Sequence, residues 1–167
     1  RRQRQMCIRD SPYTLVFEGY NEYLGGNQFD SSGNLKEQSE TNAYKMTNTL
    51  NQAFVDAVRG TGRYNAQRVL IVSGYWTNID KTTSSRFQMP EDMVNDRLMV
   101  SVHYVDNSMY WANKIGGEEW LKYIDSQCAE LKKAFLDNDI PVFMGETTST
   151  YTASNMAKDA THTDSSE

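Results

Sequence analysis

Cysteine and histidine are both scarce. Cys7 and Cys128 are the only thiols, and His103 and His162 the only imidazoles, among 167 residues. Two cysteines make no disulfide framework, and no His/Cys cluster has ligand spacing, so no metal is called for. No Gly-x-Gly-x-x-Gly follows a strand-like run, so no dinucleotide is called for, and no other organic cofactor is implied. No stretch is apolar enough to span a membrane. Basic charge is in short supply, with 17 Lys and Arg against 22 Asp and Glu and a net charge of -5. That argues against nucleic acid, whose phosphates demand a basic surface. No internal repeat recurs at a fixed period.

What is present suits one globular domain. Apolar residues make up 38% and charged residues 23% of the chain, enough for a core and too apolar for disorder. Aromatics are plentiful, with ten Tyr, six Phe and three Trp. Such rings fill cores, and they also stack on the apolar faces of sugars. Residues 1–11 are basic and follow no helix or strand period. Met6–Ser11 resembles a translated adaptor used in sequencing libraries, so 1–11 read as a non-native leader and 12–167 as the domain.

Short apolar runs alternate with helical patterns. Tyr13–Phe17, Arg68–Ser73, Leu98–Tyr104 and Pro141–Gly145 read as buried strands. Thr41 is placed to cap a helix to about Gly60, with Met46, Leu50, Ala53, Phe54, Ala57 and Val58 on its apolar face. Glu118–Asp137 reads as a helix that buries Leu121, Ile124, Cys128, Leu131 and Phe135. Leu24–Ser39, Thr77–Arg97 and Asp106–Gly117 read as loops, with a short helical turn at Glu91–Val94. Ser154 is placed to cap a last helix. Continuous apolar strands imply a parallel sheet covered by helices, either an open doubly wound sheet or a closed barrel.

In either closure the chemistry sits where strands end. Those ends carry Asn21 and Glu22, Ser73 to Trp76, His103 and Tyr104, and Glu146. Two carboxylates, an amide, an imidazole and aromatic rings suit glycoside hydrolysis. One carboxyl group protonates the leaving oxygen while the other attacks the anomeric carbon or activates water.

Leu15-Val-Phe-Glu-Gly-Tyr-Asn-Glu22 resembles glycoside hydrolase family 5, the endoglucanases and their relatives. Arg68–Trp76, Met99–Tyr104 and Val142–Glu146 resemble three further motifs of that family, in the same order. The resemblance implies an α/β fold, a partial (β/α)8 barrel holding about strands four to seven with their helices. It implies a retaining mechanism, with Glu22 as acid/base and Glu146 as nucleophile. Asn21 would bond the sugar 2-hydroxyl, His103 and Tyr104 would line the site, and Trp76 would be a sugar platform. Tyr23 stands where the family usually has proline, and Tyr104 stands one residue before the family's tyrosine. The substrate implied is a β-linked polysaccharide or oligosaccharide, cellulose-type β-glucan first, with mannan, xylan or xyloglucan as neighbours. A non-catalytic carbohydrate-binding role is the alternative from another class. The resemblance also implies secretion and a monomer when complete. Four strands cannot close a barrel, so the 167 residues alone are expected to be inactive or insoluble through bare strand edges.

Overall fold

The computed structural model describes residue 12 and residues 14–24, 40–103 and 118–147. Four strands, β1 (Phe17–Glu18), β2 (Leu70–Val72), β3 (Leu98–His103) and β4 (Val142–Glu146), form one sheet in the order β1-β2-β3-β4. Every neighbouring pair is parallel. A doubly wound sheet reverses its strand order partway along. This sheet steps in one direction only, so the architecture is a half-barrel of β/α units.

Among the described residues three α-helices cover it: α1 (Glu40–Gly60), α2 (Ile79–Thr83) and α3 (Glu118–Ala134). Charge at their ends follows the helix dipole. Glu40 opens α1 and Arg59 lies in its last turn, while α3 runs from Glu118 and Glu119 to Lys132 and Lys133. The core joins Leu70, Val72, Val100 and Val102 of the sheet to Val55, Ile79, Leu131 and Phe135. Burying each such side chain contributes about 1.5–3 kcal/mol before entropy is subtracted.

The structure corrects four expectations. The first strand is short and late, and Leu15 and Val16 are exposed. Leu15 N–H donates to the Pro12 carbonyl in a turn, and Arg68 donates to the carbonyls of both Pro12 and Leu15. Those acceptors are thereby lost to the ladder. Second, α1 already includes Glu40, so Thr41 lies inside the helix. Its buried stripe is Ala43, Tyr44, Thr47, Asn51, Val55 and Arg59, while Ala53 and Ala57 face out. Three of those six are polar, and each is satisfied. Thr47 Oγ1 donates to Ala43 O, Asn51 to Ser73 O, and Arg59 to Asp92. An apolar-only pattern misses a stripe of this kind.

Third, α3 is rotated from the expected face. Gln127 and Leu131 are buried, whereas Leu121 and Cys128 are exposed. Gln127 turns inward because its amide donates to Asp80 of α2 at 2.8 Å. Fourth, residues 91–94 are not helical, and the short helix of that connection is α2. Asn78 caps α2 by accepting from Lys81 N–H. Tyr13, Tyr104 and Ser154 lie outside the described residues, as do most of Leu24–Ser39 and Asp106–Gly117.

Candidate active site

The carboxyl ends of all four strands point to one rim. β1 ends at Glu18, and the chain turns through Gly19 and Tyr20 to Asn21 and Glu22. β3 ends on His103 and β4 on Glu146. The β3–β4 register shifts after Val102, which pairs with Met144, so that His103 pairs with Glu146 and Gly145 is the extra residue. This bulge re-aims the last residues of the ladder. Without it, His103 would face a glycine.

His103 is buried, and its Nδ1 lies 3.1 Å from Glu22 Oε1 and 4.0 Å from Glu146 Oε1. A carboxylate oxygen from each glutamate and the His103 nitrogen all lie within 4.8 Å of one another. Two carboxylates thus flank one imidazole, and both keep access to solvent. Such a donor set also suits a divalent cation. A cation bound there would need the His103 nitrogen that the Glu22 hydrogen bond occupies.

Gly145 makes the His103 position possible. A Cβ at residue 145 would lie 2.9 Å from His103 Nε2 and 3.0 Å from Ser101 Oγ. Ser101, two residues before His103 on the same strand, is fully buried, and its hydroxyl has no hydrogen-bond partner among the described residues.

The backbone at this rim is strained. Glu22, Leu24, Trp76 and Thr77 have φ of 45°, 63°, 62° and 49°. Left-handed backbone is uncommon for any non-glycine and an outlier for a β-branched threonine. Each such residue costs on the order of 1–3 kcal/mol and persists only where its surroundings over-determine it. Here they do. Glu22 N–H donates to Thr77 Oγ1 at 3.0 Å, and Trp76 N–H donates to Tyr23 O at 2.6 Å.

An ionic cluster anchors the same segment to α1. Tyr75 Oη and Lys81 Nζ donate to Glu40 Oε1 at 3.1 and 2.8 Å, and Arg86 donates to Oε2 at 2.7 Å. The hydrogen bonds from Lys81, then from Tyr75, hold the Glu40 carboxyl down at about 2. Burial pushes the Lys81 ammonium down, but its bonds to Glu40 and Tyr75 outweigh that and raise it.

Of the residues singled out from sequence, Glu22, His103 and Glu146 meet directly. Asn21 is exposed beside Glu22, and Trp76 is half-buried against the core. Tyr104 lies outside the described residues. Thr77, Gly145 and Ser101 gave no periodic signal. A glycine next to an end-of-strand glutamate was the one available hint.

The model of the family Cellulase (glycosyl hydrolase family 5) matches residues 5–165. Endoglucanase A of Paenibacillus barcinonensis is 32% identical over 170 residues, covering 86% of this chain and 40% of its own. A xyloglucan-specific endo-β-1,4-glucanase of Bacteroides ovatus is 32% identical, covering 87% of this chain and 31% of its own. Among solved structures, a broad-specificity endoglucanase from Bacteroides salanitronis superposes with a TM-score of 0.68 at 32% identity, over 93% of this chain and 44% of that one. A family 5 lichenase mutant from Caldicellulosiruptor sp. F32, in complex with cellotetraose, superposes with a TM-score of 0.76 at 27% identity, over 94% and 46%. The chain spans less than half the length of each.

Proposed function

Because the chain belongs to glycosyl hydrolase family 5, we propose that the full-length protein hydrolyses β-1,4-linked glucan with retention of configuration. The observation that carries this reading is that one carboxylate oxygen of Glu22 and one of Glu146 lie within 4.8 Å of each other beside His103. Retaining enzymes hold their carboxyl groups about 5–5.5 Å apart, whereas inverting ones leave about 6.5–9.5 Å for a water. The separation here supports direct attack.

Glu22 in its acid form gives its proton to the glycosidic oxygen, and the bond from that oxygen to the anomeric carbon breaks. Glu146 attacks the same carbon and forms a glycosyl ester. Glu22, now a carboxylate, takes a proton from water. The hydroxide equivalent displaces Glu146, and the released sugar keeps its anomeric configuration. His103 orients Glu22 through the 3.1 Å bond. Asn21 would hold the sugar 2-hydroxyl, with Trp76 and Tyr104 along the sugar path. No metal enters these steps. A polymer substrate outside the cell favours a secreted enzyme. A xyloglucan backbone is the second substrate reading, favoured by the specificity of the Bacteroides ovatus relative.

The test is Glu146→Gln in the full-length protein, with reducing ends released from soluble β-glucan as readout. Turnover should fall by roughly 10⁴ or more, the scale of losing a catalytic nucleophile, while oligosaccharide binding persists. A variant that keeps turnover within tenfold of its parent would sink the assignment.

A further inference from the structure

Three successive residues after β2 each engage a different residue of the site. Trp76 N–H donates to Tyr23 O, Thr77 Oγ1 accepts from Glu22 N–H, and Asn78 forms an isolated parallel bridge with His103. We infer that this Trp76–Asn78 turn is a bracket that sets the Glu22–His103 pair, with Thr77 as its positioning residue. The inference rests on the acid/base reading of Glu22.

The geometry favours a bracket over a loop that merely packs nearby. Trp76 and Thr77 both adopt left-handed backbone, which a bulky and a β-branched residue normally avoid. Glu22, on the other side of the bond, is left-handed as well. Thr77 is fully buried, so its hydroxyl serves protein partners rather than water. Besides Glu22 N–H, that hydroxyl has Ser73 Oγ at 3.5 Å.

The bracket is itself fixed from several sides. Thr77 N–H donates to Gly74 O at 3.0 Å, and Gly74 N–H donates to Thr82 Oγ1 at 3.1 Å. A Cβ on Gly74 would lie 2.6 Å from that oxygen and 2.8 Å from Thr82 Cα. Tyr75 is tied to Glu40, and Asn78 caps α2. A side chain that only filled space would not need its hydroxyl. Thr77 needs its hydroxyl to satisfy the Glu22 amide in a turn that offers it no ladder partner.

The test uses the ¹⁵N-labelled full-length protein and needs no turnover for its first two readouts. The Glu22 amide should exchange with solvent at least about tenfold more slowly than an unprotected amide. Exchange at the unprotected rate overturns the bracket without any variant being made. In Thr77→Val the His103 imidazole ¹⁵N signals should move, and in Thr77→Ser they should stay, with His162 as internal reference. A folded Thr77→Val with unmoved His103 signals also overturns it.

The third readout is kinetic, in the full-length protein. Thr77→Val should slow glycosides with poor leaving groups about 10–100-fold more than aryl glycosides with good ones, because only the former need the proton. Thr77→Ser should restore the parent ratio. Equal slowing of both classes counts against positioning. A parent protein with no turnover on either class removes the acid/base reading, and the amide and imidazole signals still decide the bracket.

Discussion

The two ends of this sheet solve opposite problems with similar residues. At the amino ends of the strands, Arg59 donates to both Asp92 oxygens and to the carbonyls of Asn65 and Arg68. Burial pushes the Asp92 carboxyl up, but the hydrogen bonds and charge of Arg59 together with the Val94 and Met93 backbone N–H groups outweigh it and hold the group low. Arg68 donates to Asn65 Oδ1 at 2.6 Å, and its guanidinium lies 4.4 Å from the Phe17 ring centroid. Opposite charges meet there, and burial of both partners is compensated. At the carboxyl ends, two carboxylates share a single imidazole, the backbone is left-handed at four residues, and a buried serine hydroxyl has no partner among the described residues. One end spends its polar groups on cohesion. The other keeps them poised, and its neighbours carry the strain.

That contrast can be broken residue by residue. Glu22→Gln should cut turnover on poor-leaving-group substrates by about 10²–10⁴. The same change should alter unfolding free energy by less than about 1 kcal/mol, because the amide oxygen still faces His103. A large loss of stability in urea titration would erase the difference between the ends. Arg59→Met should do the reverse. It leaves Asp92 buried and unpaired, which costs about 3–5 kcal/mol of stability, while activity per folded molecule holds. Replacing Asp92 by Leu in the same chain should recover most of that loss.

Gly145→Ala should affect both properties, since its methyl group meets the His103 ring. The expected cost is about 1–3 kcal/mol from overpacking, together with lower turnover from a displaced imidazole. Unchanged kinetics in a destabilised variant would confine Gly145 to packing. The smallest effect belongs to Glu40. Its carboxyl sits at about 2 in the fold against an ordinary 4.5, so its contribution is complete above about pH 4.5 and fades as pH falls toward 2. The group is nearly half exposed, so less than about 1 kcal/mol is at stake. Glu40→Gln should be less stable than the parent at pH 6, and the gap should narrow below pH 4.5 and close only as pH falls through about 2. A gap independent of pH would mean the cluster does not titrate with folding.

Much of this was legible in the sequence, and the gaps have physical causes. Continuous apolar runs located β2, β3 and β4, and the residues that end them proved to be neighbours. The resemblance of four motifs to one family then singled out Glu22 and Glu146 as candidates, and the fold brings them to one rim. Helix faces were read less well because Thr47, Asn51 and Gln127 are buried through hydrogen bonds, and a hydrophobic pattern sees only the apolar half of a core. Choosing between a barrel and an open sheet needed strand order, which lies in pairing rather than periodicity. The turn at Trp76–Thr77 was invisible and the bulge at Gly145 was hinted at only by a glycine beside Glu146, since both depend on contacts between segments far apart in the chain.

Gly145 also bears on how this protein could change over generations. Any single-base change in a glycine codon that alters the residue, short of a stop, adds at least a Cβ, and a Cβ here collides with a buried ring and a buried hydroxyl. Gly74 is enclosed by the backbone of Thr82 in the same way. At both positions mutation has no neutral neighbour to step onto, and any lineage that left glycine would first have to move β3 or α2. At these two positions the backbone that aims the two glutamates should therefore stay fixed from one generation to the next.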